Sequence, residues 1–142
     1  MAAVHDVAAY ILSKKSPLTA MKLQKLLYYS QAWHLVWRDK PLFQARVEAW
    51  VNGPVVPEVY RYHRGQFQIA KWSKGDRKAL DASERKAVDA VLKFYGGKTS
   101  QWLRNLTHQE DPWIKARGGA LPGQRTQHEI TRAAMAEYYG SL

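Results

Sequence analysis

Residues 19–38 constrain this chain more than any other stretch. Leu23, Leu26, Leu27, Ser30, Trp33 and Trp37 recur at the spacing of one helical face, and Tyr28, Ala32 and Leu35 widen that face. A helix apolar over so broad an arc must bury itself on several sides, so it predicts a central helix. Thr19 is placed to cap it, with a hydroxyl able to accept a free backbone N–H. Lys22, Gln24, Lys25 and Gln31 are expected to face solvent or a partner.

The segment that follows, residues 42–63, changes period. Val47, Ala49 and Val51 alternate with Glu48 and Trp50, which predicts a short strand, with Leu42-Phe43 as its expected pairing partner. Asn52-Gly53-Pro54 reads as a turn between strand and helix. Pro57 suits the first position of a new helix, which carries Val59, Tyr60 and His63 on one face and stops near Gly65.

The remaining elements are helical. Residues 3–14 place Val4, Val7, Ala8, Ile11 and Leu12 on one face. Phe67, Ile69 and Trp72 suggest a second extended piece at 67–72. Asp81 and Glu84 have capping-box spacing ahead of a helix with Val88, Val91, Leu92 and Tyr95 inward, closed by Gly96-Gly97. Thr99 or Ser100 opens another helix with Trp102, Leu103 and Leu106 inward. A Gly/Pro loop spans 117–125, and a last helix is expected at 127–139 with Ile130, Ala133, Ala134 and Tyr138 inward. The expected fold is therefore mainly α. It is a compact single domain, residues 1–142, of five to six helices around the 19–38 helix, with a β-ribbon near 42–51 and an extended piece at 67–72.

Composition narrows the chemistry. The chain has no cysteine, which excludes disulfides, Cys-based zinc sites and a thiol nucleophile. No secretory signal pattern opens it, and no window approaches the roughly eighteen apolar residues of a membrane span. A cytoplasmic protein without membrane partners is expected. Its net charge is +10, and residues 61–104 hold eleven Lys/Arg against four Asp/Glu. Such a surface favours polyanions or acidic proteins. Arg77, Lys78, Arg85, Lys86 and Lys93 keep a nucleic-acid-binding or regulatory role as the alternative reading, although no helix-turn-helix signature accompanies them.

No phosphate-binding loop, nucleophile elbow or metalloprotease motif is present. His108, Glu110 and Asp111 form the one local group with metal-ligand chemistry, although capping of a helix and its following turn explains them better. Glu48, in an otherwise apolar strand, is either an acid of raised pKa or, more simply, the partner of a nearby cation or hydroxyl. Neither catalysis nor a cofactor is expected.

Three segments taken together resemble a known family. They are Thr19 to Trp33; Pro41-Leu42-Phe43 with Val47 to Trp50 and Gly53 to Tyr60; and Leu106-Thr107-His108 with Pro112-Trp113. In this order they resemble the Panacea domain, the phage-associated GepA-like and SocA-like family. The resemblance implies an antitoxin: a mostly helical protein, with no established catalytic residues, that neutralises its cognate toxin by direct contact. Some members deliver the toxin to a protease. The family motif falls on Lys22, Gln24, Lys25, Tyr28, Glu48, Trp50, Gly53, Pro54, Val55, Tyr60, His108, Pro112 and Trp113. Asn52 departs from it, standing where relatives often have an aromatic residue. These positions are expected to serve as partner-binding or scaffold residues, with the polar ones the better candidates for contact.

Overall fold

The structure is a computed structural model that describes residues 1–142. Seven helices surround one hydrophobic core. In chain order they are α1 (Val4–Lys14), α2 (Ala20–Arg38), α3 (Pro57–His63), α4 (Ala82–Tyr95), α5 (Ser100–Thr107), α6 (Asp111–Ala116) and α7 (Arg132–Gly140). Four short strands are β1 (Leu18–Thr19), β2 (Glu48–Trp50), β3 (Gly53–Val55) and β4 (Gln68–Ile69). The helix beyond the expected number is the six-residue α6, which Pro112 helps to start.

α2 is central, packing against α1, α4, α5, α7 and β3. Thr19 caps it by accepting from Lys22 N at 3.1 Å. Leu23, Leu26, Leu27, Tyr28, Tyr29 and Ala32 are fully buried, whereas Trp37 at its far end is 47% exposed. The expectation of a solvent-facing side is corrected here. Gln24, Lys25 and Gln31 are only 1–2% exposed. They lie inside because each meets main chain that helices do not satisfy. Gln31 Oε1 accepts from Leu42 N at 2.8 Å and Phe43 N at 3.3 Å, while its Nε2 donates to Phe43 O at 2.7 Å.

Leu42-Phe43 therefore does not pair with the strand; Phe43 bridges in parallel to Ala2 instead. The partner of β2 is β3, antiparallel in the register Glu48↔Val55, Ala49↔Pro54 and Trp50↔Gly53. The turn thus lies at Val51-Asn52, one step earlier than expected, and Gly53-Pro54 belongs to the returning strand. Gly53 supplies the φ of +118° needed there. Pro54 is tolerated for a specific reason. Its partner Ala49 turns both N–H and C=O the other way, to His128 O and the Thr126 hydroxyl, so the ladder asks no N–H of Pro54.

The same pairing displaces the last helix. Ala49 N donates to His128 O and Ile130 N donates to Val47 O, each at 2.8 Å. Residues 128–130 are thereby held against β2, and α7 starts only after the Thr131 cap. Its buried residues are Met135 and Tyr139 rather than Ala133, Ala134 and Tyr138. In α5, Leu103 is buried but Trp102 is 41% exposed, with Lys98 Nζ over its ring. The extended piece expected at 67–72 contracts to β4, paired with β1. The Asp81–Glu84 capping box and the inner face of α4 form as expected.

Gln31→Leu retains side-chain bulk but strands two buried N–H groups and a carbonyl. It should destabilise the protein by about 2–4 kcal/mol, since each buried polar group left unpaired costs about 1–3 kcal/mol and three are affected. The shift of the urea midpoint measures this.

Candidate functional site

The motif residues converge where α2 passes beneath the β2–β3 hairpin. Gln24 grips the chain just after the hairpin. Its Oε1 accepts from Val56 N at 2.8 Å, and its Nε2 lies 3.4 Å from Val56 O and 2.9 Å from His63 Nε2. The amide donates to His63, so that ring nitrogen accepts. Burial, more than the nearby Lys25, holds the His63 pKa below the ordinary histidine value and favours this neutral form.

Lys25 is the next residue along and 1% exposed. Its Nζ donates to Pro54 O at 3.1 Å and makes no ion pair. Burial, with a smaller contribution from Arg104, pulls its pKa down to about 7. Gly53 lies directly on its side chain. A Cβ at that position would sit 2.6 Å from Lys25 Cε and 3.0 Å from Thr107 Oγ1. Glycine is required here both by the backbone angle and by this approach.

Trp50 and Tyr60 meet edge to face at 4.8 Å beside these groups. Trp50 Nε1 donates to Glu48 Oε1 at 2.9 Å, and the other oxygen of Glu48 accepts from Arg46 Nε at 2.8 Å. Glu48 is thus the paired carboxylate of the simpler expectation. The hairpin's opposite side rests on α5 and α6. Trp113 Nε1 donates to Trp50 O at 2.8 Å, and Arg104 Nε donates to Asn52 Oδ1 at 3.1 Å. His108 stacks on Trp113 with ring centroids 3.8 Å apart, and Arg117 lies over the same indole at 5.1 Å. Burial, followed by Arg104, Lys25 and Arg117, lowers the His108 pKa to about 4, so the imidazole is neutral at pH 7. Pro112 is buried at the start of α6.

Between the hairpin, α3 and residues 125–127 opens a cleft of about 760 Å³. Six of the motif-region residues line it: Gln24, Lys25, Trp50, Asn52, Val55 and Tyr60. Lys22 and Tyr28 lie elsewhere. Lys22 Nζ donates to Gly96 O at 2.7 Å, joining α2 to the end of α4. Tyr28 bonds the Tyr139 hydroxyl at 3.0 Å inside the core. Arg64, Gln66, Arg125 and Gln127 complete the rim, and none was singled out from the sequence. Arg125 sits in a loop with no local signature. Gln24 and Gln31 did carry one: they are seven residues apart, on one face of an otherwise buried helix.

The capping expected of His108, Glu110 and Asp111 is corrected for Glu110, whose side chain makes no cap bond. No group of three His, Cys, Asp or Glu side chains is close enough to hold an ion. Glu110 turns into the core, where Oε1 accepts from the Tyr29 and Tyr139 hydroxyls at 2.7 Å each. Burial raises its pKa, opposed by those two bonds. It does not use its side chain to cap α6, and Asp111 is exposed beside Lys115.

Two outcomes follow from the Lys25–Gly53 contact. The folded chain gives up the Lys25 proton near pH 7, whereas the unfolded chain keeps it to about pH 10.4. Between these values the unfolded chain binds more protons, so this group makes stability rise with pH; below about pH 7 the gain is absent. The stability of wild type relative to Lys25→Met should therefore grow by a few kcal/mol between about pH 7 and pH 10. Urea unfolding of both proteins across that range checks this, and a constant difference would refute it. Gly53→Ala should cost about 2 kcal/mol or more, since strain and overlap act together; thermal unfolding measures it.

Comparison with known proteins gives this arrangement a family. The sequence model described as Antitoxin SocA-like, Panacea domain, matches residues 23–114. A curated protein named Antitoxin SocA, from Caulobacter vibrioides (strain NA1000 / CB15N), is 47% identical over 45 residues. That match covers 32% of this chain and 24% of the relative, so it spans about a quarter of the relative's length. No solved structure matches. The matched region runs from the buried stripe of α2 through the hairpin to α6, and the chain belongs to the Antitoxin SocA-like, Panacea domain family.

Proposed function

We propose that the protein acts in the cytoplasm as an antitoxin and neutralises a cognate toxin by direct protein–protein contact. The observation that carries this reading is the family match over residues 23–114, together with the gathering of its motif residues around one open cleft. Much of the motif is scaffold. Gln24, Lys25, Gly53 and Pro54 hold the hairpin to α2, leaving Trp50, Asn52, Tyr60 and the arginine rim to meet a partner. In such an interface aromatic and arginine anchors carry most of the affinity. The chain's net charge of +10 adds a positive field that speeds encounter with an acidic partner.

Co-expression with the product of the neighbouring gene tests the proposal. That product alone should arrest growth, and this protein should restore it. A product harmless by itself, or an arrest that persists, would overturn the antitoxin reading. The toxin's level separates two modes: occlusion leaves it unchanged, whereas delivery to a protease lowers it in wild-type but not in protease-deficient cells. The alternative reading, nucleic-acid binding through Arg77, Lys78, Arg85, Lys86 and Lys93, requires salt-sensitive affinity for random duplex DNA.

A further inference from the structure

We propose that the cleft beneath the hairpin captures an acidic segment of the protein partner, seating a carboxylate between Arg64 and Arg125 and an aromatic or aliphatic side chain against Trp50 and Tyr60. This rests on the reading that the protein acts by contact with another protein.

Charge complementarity selects the occupant. Sixteen residues line the cleft, and none is Asp or Glu. Lys25 and His63 form part of its floor, while Arg64 and Arg125 are exposed at its rim. Neither arginine makes a salt bridge or a side-chain hydrogen bond, so both guanidinium groups are free to fork onto a carboxylate. The floor has unused capacity as well. Lys25 Nζ has one acceptor, Pro54 O, and no anion beside it. An arriving carboxylate would be the first negative charge in a basic, partly desolvated cavity.

The walls favour a polypeptide over a nucleic acid. Trp50 and Tyr60 already pack edge to face at 4.8 Å, so the exposed parts of the rings form an angled wall rather than a parallel slot for a base. Met21 and Val55 extend that wall with aliphatic surface. Gln66, Gln127 and Asn52 offer amides suited to a peptide main chain. A nucleic-acid backbone would require a row of cations, whereas the exposed Lys86 and Lys93 stand on α4, which does not line the cleft. The volume of about 760 Å³ accommodates a few side chains.

The test is selection of displayed random dodecapeptides on the immobilised protein, followed by affinity measurement with the selected peptides. The expected consensus places Asp or Glu beside an aromatic or aliphatic residue. The double variant Arg64→Glu/Arg125→Glu, exposed at both positions, should weaken binding roughly tenfold or more. The control Lys86→Glu/Lys93→Glu carries the same charge change on α4 and should bind within about twofold of wild type. Circular dichroism melts establish that both are folded. A basic or uncharged consensus, no enrichment, or equal affinity for the Arg64/Arg125 variant would overturn the assignment. So would displacement of the selected peptides by a random oligonucleotide at lower concentration than by an acidic peptide. Co-expression separates this from the antitoxin reading. If wild type and the Arg64/Arg125 variant rescue growth equally, the cleft is not the capture site and the antitoxin reading stands. If wild type fails to rescue, the antitoxin reading falls, and the dodecapeptide measurement still decides what the cleft binds.

Discussion

The structure depends on polar side chains of a buried helix satisfying main chain that has no regular structure of its own. Between the end of α2 and the start of α3, the chain runs for eighteen residues with only two three-residue strands. Buried backbone groups in such a stretch each cost about 1–3 kcal/mol if left unpaired. α2 meets this demand from within the core. Gln31 holds Leu42 and Phe43, Gln24 holds Val56, and Lys25 holds Pro54 O. These three side chains fasten the segment at both ends, so the hairpin between them is presented as a fixed body.

That fastening sets what the hairpin can do. Gly53 allows the main chain to reach Lys25, and the lysine is thereby desolvated beneath a strand that gives it a single acceptor. On the far side Trp113 bonds Trp50 O, and Arg104 reaches Asn52. The hairpin is therefore braced by α2 below and by α5–α6 behind, with residues 126–130 along its edge. Its remaining free aspect, with Trp50, Val51 and Val55, faces the cleft. A second polar cluster, Glu110 with Tyr29 and Tyr139, joins α2, α6 and α7 in the same manner. The carboxylate is balanced by phenol donors and not by a cation.

Helix positions were readable wherever one local signal sufficed. Asp81 and Glu84, Thr99, Pro57 and the stripe of Leu23, Leu26 and Leu27 each name their element without help from the rest of the chain. The readings failed where a distant partner competed. Residues 127–130 have helical composition but lie along β2, because Ala49 and Val47 offered them hydrogen bonds. Gln24, Lys25 and Gln31 are polar and were expected outside, yet the groups they satisfy lie 11 to 32 residues away in sequence. For the site, the motif residues on the near wall were legible, while Arg64 and Arg125 were not.

By itself, the sequence determined that the chain is mainly helical, that its second helix must be central, and that no thiol or Cys-based metal chemistry is open to it. These follow from side-chain period, capping chemistry and composition, which act over one or two turns of chain. It also carried the motif that marks the family. Only the tertiary structure decided that Gln24 and Lys25 of the motif point inward, that Gly53-Pro54 is a strand and not a turn, and that Arg64 and Arg125 line one cleft free of carboxylates. Those outcomes depend on which backbone groups are left unpaired once the helices have packed, and that quantity exists only for the assembled chain.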